Sequence, residues 1–329
     1  MIRKKRIALE ELGIETSIFL EDLSSIPSSL FPVLTMKSEL RMPDKSLRGQ
    51  LFLKQVLHHG TYGDIRLAVR SHQGGEKQNV LVKGPRMEGI ELAQEAILQH
   101  AAYSCMIANR IPWAVPAVYD VFLYGKKTMF SMDRMDGVFL DTWFATSKEP
   151  DRDFLLLMAQ LSIYLCILHQ CLGLDHRDLK TDNLLISSHP CQLQFQYKGD
   201  RYTLVSPFRL HILDFGFACL GEGGQPAFVT LGDVLPVVDP CPKEGRDLFQ
   251  FLLSILTVKS IRTVLSHSVL GHIETWVGKR FADMAAKMIE DTAWIYLLTS
   301  SAEFHCPNST PYHILRDLVT LSPSLFTKS

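Results

Sequence analysis

The pattern of apolar and polar positions is strand-like over residues 51–57 and alternates with period two over 65–69, and a glycine-bearing stretch stands between the two runs. Such alternation sends successive side chains to opposite faces, so each run predicts a strand and the pair predicts a hairpin. Further strands are predicted at 79–83, stopped by Gly84 and Pro85, and at 118–124 and 128–132 about the turn Gly125-Lys126-Lys127. Between them, 88–108 is rich in Ala, Leu, Glu and Gln and predicts one helix. After Asp136-Gly137 the pattern turns helical. Residues 154–172 are almost continuously apolar, with Asp153 suited to the N-cap and Gly173 to the position just past the end. Short strands at 184–186 and 209–213 bracket an added hairpin, 192–197 with 201–205, turning at Lys198-Gly199-Asp200. From about residue 246 the pattern is mainly helical. Residues 1–50 hold no sustained period, and their breaker clusters, Ser24-Ser25-Ile26-Pro27-Ser28-Ser29 and Met42-Pro43-Asp44, predict a loosely packed extension.

Composition narrows the picture. With 329 residues, 47% of them hydrophobic, the chain has material for a large core in two packed parts. Lys plus Arg number 34 against 35 Asp plus Glu, a net charge of −1, so no basic excess points to nucleic acid or to a membrane surface. The basic start Arg3-Lys4-Lys5-Arg6 is read as a solvated tail in preference to a localisation signal. Residues 154–174 have the length of a membrane span, but Gln160, Ser162, His169 and Gln170 lie inside and Asp151-Arg152-Asp153 leads in, which predicts a buried helix and no span. Residues 1–15 lack the apolar core of a signal peptide. The seven cysteines are odd in number, irregularly spaced and without a CxxC pair, and are expected as reduced thiols in an intracellular compartment, cytoplasm or nucleus.

Candidate chemistry concentrates in His176-Arg177-Asp178-Leu179-Lys180-Thr181-Asp182-Asn183 and in Asp214-Phe215-Gly216. The first places a carboxylate, an ammonium and a carboxamide in a loop that leaves a helix and enters a strand, and the second puts another carboxylate at a strand end. Paired short strands would bring both loops to one sheet edge. One base, one cation and two oxygen ligands for a hard metal are the parts phosphoryl transfer needs, because catalysis there is mostly positioning and charge neutralisation.

These residues resemble the eukaryotic-type protein kinase family. H-R-D-L-x-x-x-N is matched by 176–183 and D-F-G by 214–216, and the likeness runs from about residue 50 to at least 258. It implies an α+β, bilobal protein-kinase-like fold: an extension over 1–50, a small β-rich N-lobe with one main helix over 51–135, and a larger, mostly α-helical C-lobe over 136–329 with the inserted hairpin at about 190–206. It further implies ATP and Mg²⁺ as cofactors. Asp178 would accept the proton of the acceptor hydroxyl, Lys180 would steady the transferring phosphoryl, and Asn183 and Asp214 would hold Mg²⁺. Lys83, in Val80-Leu81-Val82-Lys83, would pair with the α- and β-phosphates, with Leu81 in place of the usual small residue. Glu95 is the expected helix partner of Lys83, with Glu91 one turn earlier as the alternative. His58-His59-Gly60-Thr61-Tyr62-Gly63 stands where the glycine-rich loop would be, with Gly60 and Gly63 retained and His58 at the first glycine's place. Ile65 and Leu185 would enclose adenine, Met132 would be the gatekeeper and Asp133-Arg134-Met135 the hinge. Asp247 resembles the aspartate that braces the HRD loop.

No A-P-E follows; Leu235-Pro236-Val237 stands nearest, and Thr230 is the hydroxyl available in 217–235, with Arg177 as a candidate partner for a phosphate there. The Lys at 180 resembles Ser/Thr kinases, which implies protein substrates with Ser or Thr acceptors. The altered glycine loop and missing glutamate resemble kinases of large DNA viruses, which would act in a host cell. A small-molecule phosphotransferase related to aminoglycoside and choline kinases, and a pseudokinase scaffold, are the competing readings. Retention of Lys83, Asp178 and Asp214 and the HRDLK run favour a protein kinase.

Overall fold

A computed structural model of the chain describes residues 6–19, 26–60, 63–72, 75–86, 92–222, 225–229, 240–288 and 291–328. Two compact units emerge, Met1–Ser104 with Pro116–Met135, and Cys105–Val115 with Asp136–Ser329.

In the first unit, β1 (Arg6–Ala8) and β2 (Ser17–Phe19) form a two-stranded antiparallel ribbon about a 3₁₀ turn at Glu10–Leu12. The strands that follow are β3 (Val33–Leu34), β4 (Glu39–Arg41), β5 (Leu47–His59), β6 (Gly63–His72), β7 (Lys77–Pro85), β8 (Val118–Tyr124) and β9 (Lys127–Asp133), with α1 (Ala93–Ala108) between β7 and β8. They close into a barrel in the order β3-β4-β5-β6-β7-β9-β8. The period-two pattern explains its interior: Leu34, Leu40, Leu51, Ala68, Val80, Val82, Phe122 and Met129 are all buried in one cluster, and every one of the seven strands supplies at least one of them. Burying each of the larger side chains is worth about 1.5–3 kcal/mol.

The expectation of a bilobal protein-kinase-like fold with a small one-helix β lobe and a mostly helical second lobe is corrected here. Five predicted strands would make an open sheet with two exposed edges. Instead, residues 33–50 supply β3, β4 and the start of β5, and β3 pairs in parallel with β8 at Val33 and Leu123, where Leu123 N donates to Pro32 O at 2.8 Å. Closure removes the edges and satisfies their backbone groups. The molecule is a mixed α/β protein with a closed seven-stranded barrel.

The second unit is correspondingly richer in strand than expected, with nine strands beside eight helices among the described residues. It contains β10 (Val138–Phe139), α2 (Leu140–Thr146), α3 (Pro150–Leu172), β11 (Leu174–Asp175), β12 (Leu184–Ser187), β13 (Cys191–Tyr197), β14 (Asp200–Ser206), β15 (Arg209–Ile212), β16 (Cys219–Glu222) and β17 (Gln225–Val229). After these come α4 (Arg246–Thr257), α5 (Lys259–Arg262), α6 (His267–Val277), α7 (Lys279–Lys287), α8 (Ala293–Ser300), α9 (Pro311–Leu321) and β18 (Phe326–Lys328). The strands form three sheets of three, ordered β10-β12-β15, β11-β16-β17 and β13-β14-β18.

Helix α3 starts at Pro150, three residues before the expected cap, because Pro is preorganised for the first helical position. Asp153 lies in its first turn and accepts from Ser147 Oγ at 2.7 Å. Gly173 ends it in the left-handed region, φ 58°, with its N–H returned to His169 O. Helix α3 is long and apolar enough to cross a membrane, yet 67% of its most apolar stretch is buried inside the unit, as in a core helix. One cysteine expectation is also corrected: Cys219 and Cys241 are joined in a disulfide, while Cys105, Cys166, Cys171, Cys191 and Cys306 are thiols.

Candidate active site

In the barrel unit, β7 carries Lys83 and the first turn of α1 carries Glu95. Both are buried, and the Lys83 ammonium lies 2.6 Å from Glu95 Oε1. A lone buried charge would be costly, and the pairing removes that cost. Glu91, the alternative partner, lies outside the described residues. Ile65 of β6 stands opposite Lys83 in the ladder, and Met132 of β9 stands opposite Leu81. Met132 Sδ accepts a long hydrogen bond, 3.6 Å, from Gln99 Nε2.

The β5–β6 turn approaches the same strand closely. A Cβ on Gly63 would come 3.1 Å from Gly84 O and 3.2 Å from Lys83 Cε, so a larger residue would push on the lysine stem. A Cβ on Gly60 would meet Gly63 O at 2.9 Å, across the bond in which Gly60 N donates to that oxygen. Thr61 and Tyr62, between these glycines, lie outside the described residues, as do Thr230 and Leu235-Pro236-Val237.

In the second unit two antiparallel pairings set the geometry. The chain runs from β11 to β12 through 176–183 and from β15 to β16 through 213–218, while β11 pairs with β16 and β12 with β15. Both loops are therefore held between the same two strand pairs. Asp178, Lys180 and Asn183 meet in the first loop. The Lys180 ammonium is 3.1 Å from both Asp178 carboxylate oxygens, and Asn183 Nδ2 donates to Asp178 Oδ2 at 2.9 Å and to Asp178 O at 2.7 Å. Asp178 and Asn183 are buried; Lys180 is half-buried. Leu185, on β12, is half-buried and paired with His211.

Asp214 is exposed, with φ +60°, and its Oδ1 accepts from Gly216 N at 3.1 Å. Burial raises the pKa of Asp178; Lys180 and His176 oppose that shift and the nearby negative charge of Asp214 reinforces it.

The loop is braced from three sides. His176 N and Arg177 N donate to the two carboxylate oxygens of Asp247 at 2.8 and 2.9 Å, so the α4 aspartate grips the turn before Asp178. His176 Nε2 bonds Leu213 O at 2.9 Å, and its ring packs 5.0 Å from that of the buried Phe215. The third brace, Asp175, is not among the sequence-predicted residues. Fully buried, it accepts from Arg246 Nε at 3.0 Å and Nη2 at 2.5 Å and from Lys243 N at 2.7 Å, and pairs with His169 Nε2 at 3.0 Å. Burial alone would raise its pKa, but Arg246 and His169 hold it well below the usual carboxylate range. The available signal was an acid directly before His176 and an arginine directly before Asp247.

Comparison with known proteins points to kinases of viruses. Residues 129–222 match the family model described as poxvirus serine/threonine protein kinase. The chain is similar to viral kinases of a divergent kind. A protein of Invertebrate iridescent virus 3 described as probable kinase 098L is 27% identical over 131 residues, covering 38% of this chain and 24% of that protein's length. The chain thus matches about a quarter of the length of that relative. The family match takes in Met132, Asp178, Lys180, Asn183, Leu185 and Asp214, and leaves Gly60, Gly63, Ile65, Lys83 and Glu95 outside it.

Proposed function

We propose that the chain is a serine/threonine protein kinase that transfers the γ-phosphoryl group of Mg²⁺·ATP to protein hydroxyls. The observation that carries this is the bonded set Asp178, Lys180 and Asn183, whose loop Asp247 braces at His176 N and Arg177 N, with the exposed Asp214 in the loop that joins the partner strands β15 and β16. Asp178 accepts the hydroxyl proton as the acceptor oxygen bonds to phosphorus, and the bond to the β-phosphate oxygen breaks with its electron pair leaving on ADP. Lys180 carries compensating positive charge next to that carboxylate. In the barrel unit, Lys83 is the phosphate-binding ammonium, oriented by Glu95, and Gly60 and Gly63 allow backbone N–H groups to approach phosphate oxygens. Ile65, Met132 and Leu185 are the proposed adenine neighbours.

The donor set suits the metal. Asn183 Nδ2 is spent twice on Asp178, which leaves Oδ1 as its acceptor, and Asp214 adds a carboxylate. Mg²⁺ takes a few such oxygens together with phosphate oxygens, and when bound it neutralises phosphate charge.

The test incubates the purified chain with γ-labelled ATP and, in parallel, a generic protein substrate, small alcohols and aminoglycosides. Label is expected on Ser and Thr of the protein. Asp178→Asn is expected to lower turnover by roughly 10²–10⁴-fold, the worth of a positioned acid–base group. Label on the small molecules alone would replace this reading with a small-molecule phosphotransferase, and no transfer to any acceptor would favour a scaffold.

A further inference from the structure

A groove of about 730 Å³ lies within the second unit, lined by none of the residues of the candidate active site. One wall is β13, of which six consecutive residues, Gln192 to Tyr197, line it; no residue of β14 does. Successive strand side chains point to opposite faces, so a cavity touched by six in a row runs along the strand's backbone edge, on the side away from β14. Among the described residues that edge is open: in its sheet β13 pairs with β14 alone, and β18 covers the far side of β14.

The turn identifies which groups face the groove. Lys198 and Gly199, with φ of 51° and 84°, form a two-residue connection in which Tyr197 and Asp200 exchange both ladder bonds. Bonded and non-bonded pairs alternate along an antiparallel ladder, so the N–H and C=O groups of Gln192, Gln194 and Gln196 point away from β14, into the groove.

An open edge of this kind is a liability that proteins blunt with charge, proline or a bulge. Cys191–Tyr197 has no charge and no proline, and its register with β14 is unbroken. The groove is also lined by Ile167 of α3 and by Tyr312 of α9, the latter 55% exposed with its ring 5.7 Å from that of Tyr197. Among the described residues Arg110 is the one charged residue lining the groove, and it has no ion pair there.

We propose that β13 is a docking edge for an extended segment of a partner protein, which adds as a further strand, places apolar side chains against Ile167 and Tyr312, and sets a carboxylate on Arg110. Only an extended backbone satisfies a row of strand donors and acceptors, which is the basis of recognition by strand addition. A second copy of this chain is a poorer occupant, because its own β13 lies in a groove walled by its own α3 and α9. The proposal does not depend on phosphotransfer activity.

The test selects from a displayed library of random linear peptides on the full-length chain, then measures the selected peptides against variants. Acidic peptides with alternating apolar positions are expected to emerge, and to slow hydrogen exchange at the amides of residues 192, 194 and 196. Gln194→Ala, which keeps the backbone donor, should bind as the parent does. Gln194→Pro removes a donor that the β14 ladder does not use and should weaken binding about tenfold or more. Arg110→Glu should weaken the acidic peptides without requiring any change in β13. Failure to enrich peptides, or peptides that leave the three amides exchanging as before, would overturn the proposal. So would self-association of the free chain that Gln194→Pro abolishes, since the edge would then serve a second copy.

Discussion

Asp178 owes its properties to its burial and to three neighbours. Burial works against its charge, Lys180 and His176 favour it, and Asp214 opposes it, with the balance on the raised side. A carboxylate with a raised pKa is a stronger base when ionised, and it is ionised only above that pKa. Turnover is therefore expected to fall as pH drops through a value above the ordinary aspartate range, and to fall along a single-proton limb. A pH–rate profile measures this, and one that stayed flat down to the ordinary carboxylate range would remove Asp178 from the role of base. Residue-scale reading went far here because Asp178, Lys180 and Asn183 lie within five positions of one another, so local chain geometry alone brings these three together. Asp175 escaped that reading because its partner Arg246 lies 71 positions away, and nothing local shows that the two meet.

At the scale of elements, the barrel depends on a charged group inside it. Asp120 of β8 is fully buried and accepts from Arg48 Nε of β5 at 2.7 Å, from Arg70 Nε of β6 at 2.6 Å, and from Ser131 Oγ of β9 at 2.9 Å. One carboxylate thus ties four strands, and Arg48 also reaches back to the carbonyls of Glu10 and Glu11. Burial would raise the pKa of Asp120, but Arg70 and Arg48 bring it below the ordinary value. Asp120→Asn leaves two arginines without their counter-charge and is expected to cost about 3–5 kcal/mol, read from the urea midpoint. The sign of the pH dependence follows. A folded-state pKa below the unfolded one means the stabilisation is complete above the unfolded value and is lost as pH falls through the folded one. The difference in stability between parent and variant should therefore shrink in acid; a constant difference would place the carboxylate's contribution elsewhere. Five of the strands were legible, from period-two alternation at 65–69 and from strand-like apolar runs bounded by turns at 51–57, 79–83, 118–124 and 128–132. Their closure was not, because residues 33–34 show too short a run to predict a strand and become one only against β8.

For the molecule as a whole, acidic and basic residues nearly cancel, and the isoelectric point is about 6.9. Weak mutual repulsion near that pH favours association, so solubility is expected to pass through a minimum near neutrality and to rise on moving to higher pH. Turbidity against pH at fixed protein concentration measures it, and a minimum far from neutrality would show that an uneven charge distribution governs instead.

By itself the sequence marked the candidate site residues, five of the barrel's seven strands and the long apolar helix, since each depends on neighbours a few positions apart and on side-chain chemistry that travels with the residue. Tertiary structure alone decided that seven strands close into a barrel, that Cys219 meets Cys241 after 22 positions, that Asp175 is held by Arg246, and that β13 is left as an open edge. Those outcomes hang on which distant segments pack together, and that choice is made by the summed burial and pairing of many residues, which no short stretch of sequence carries.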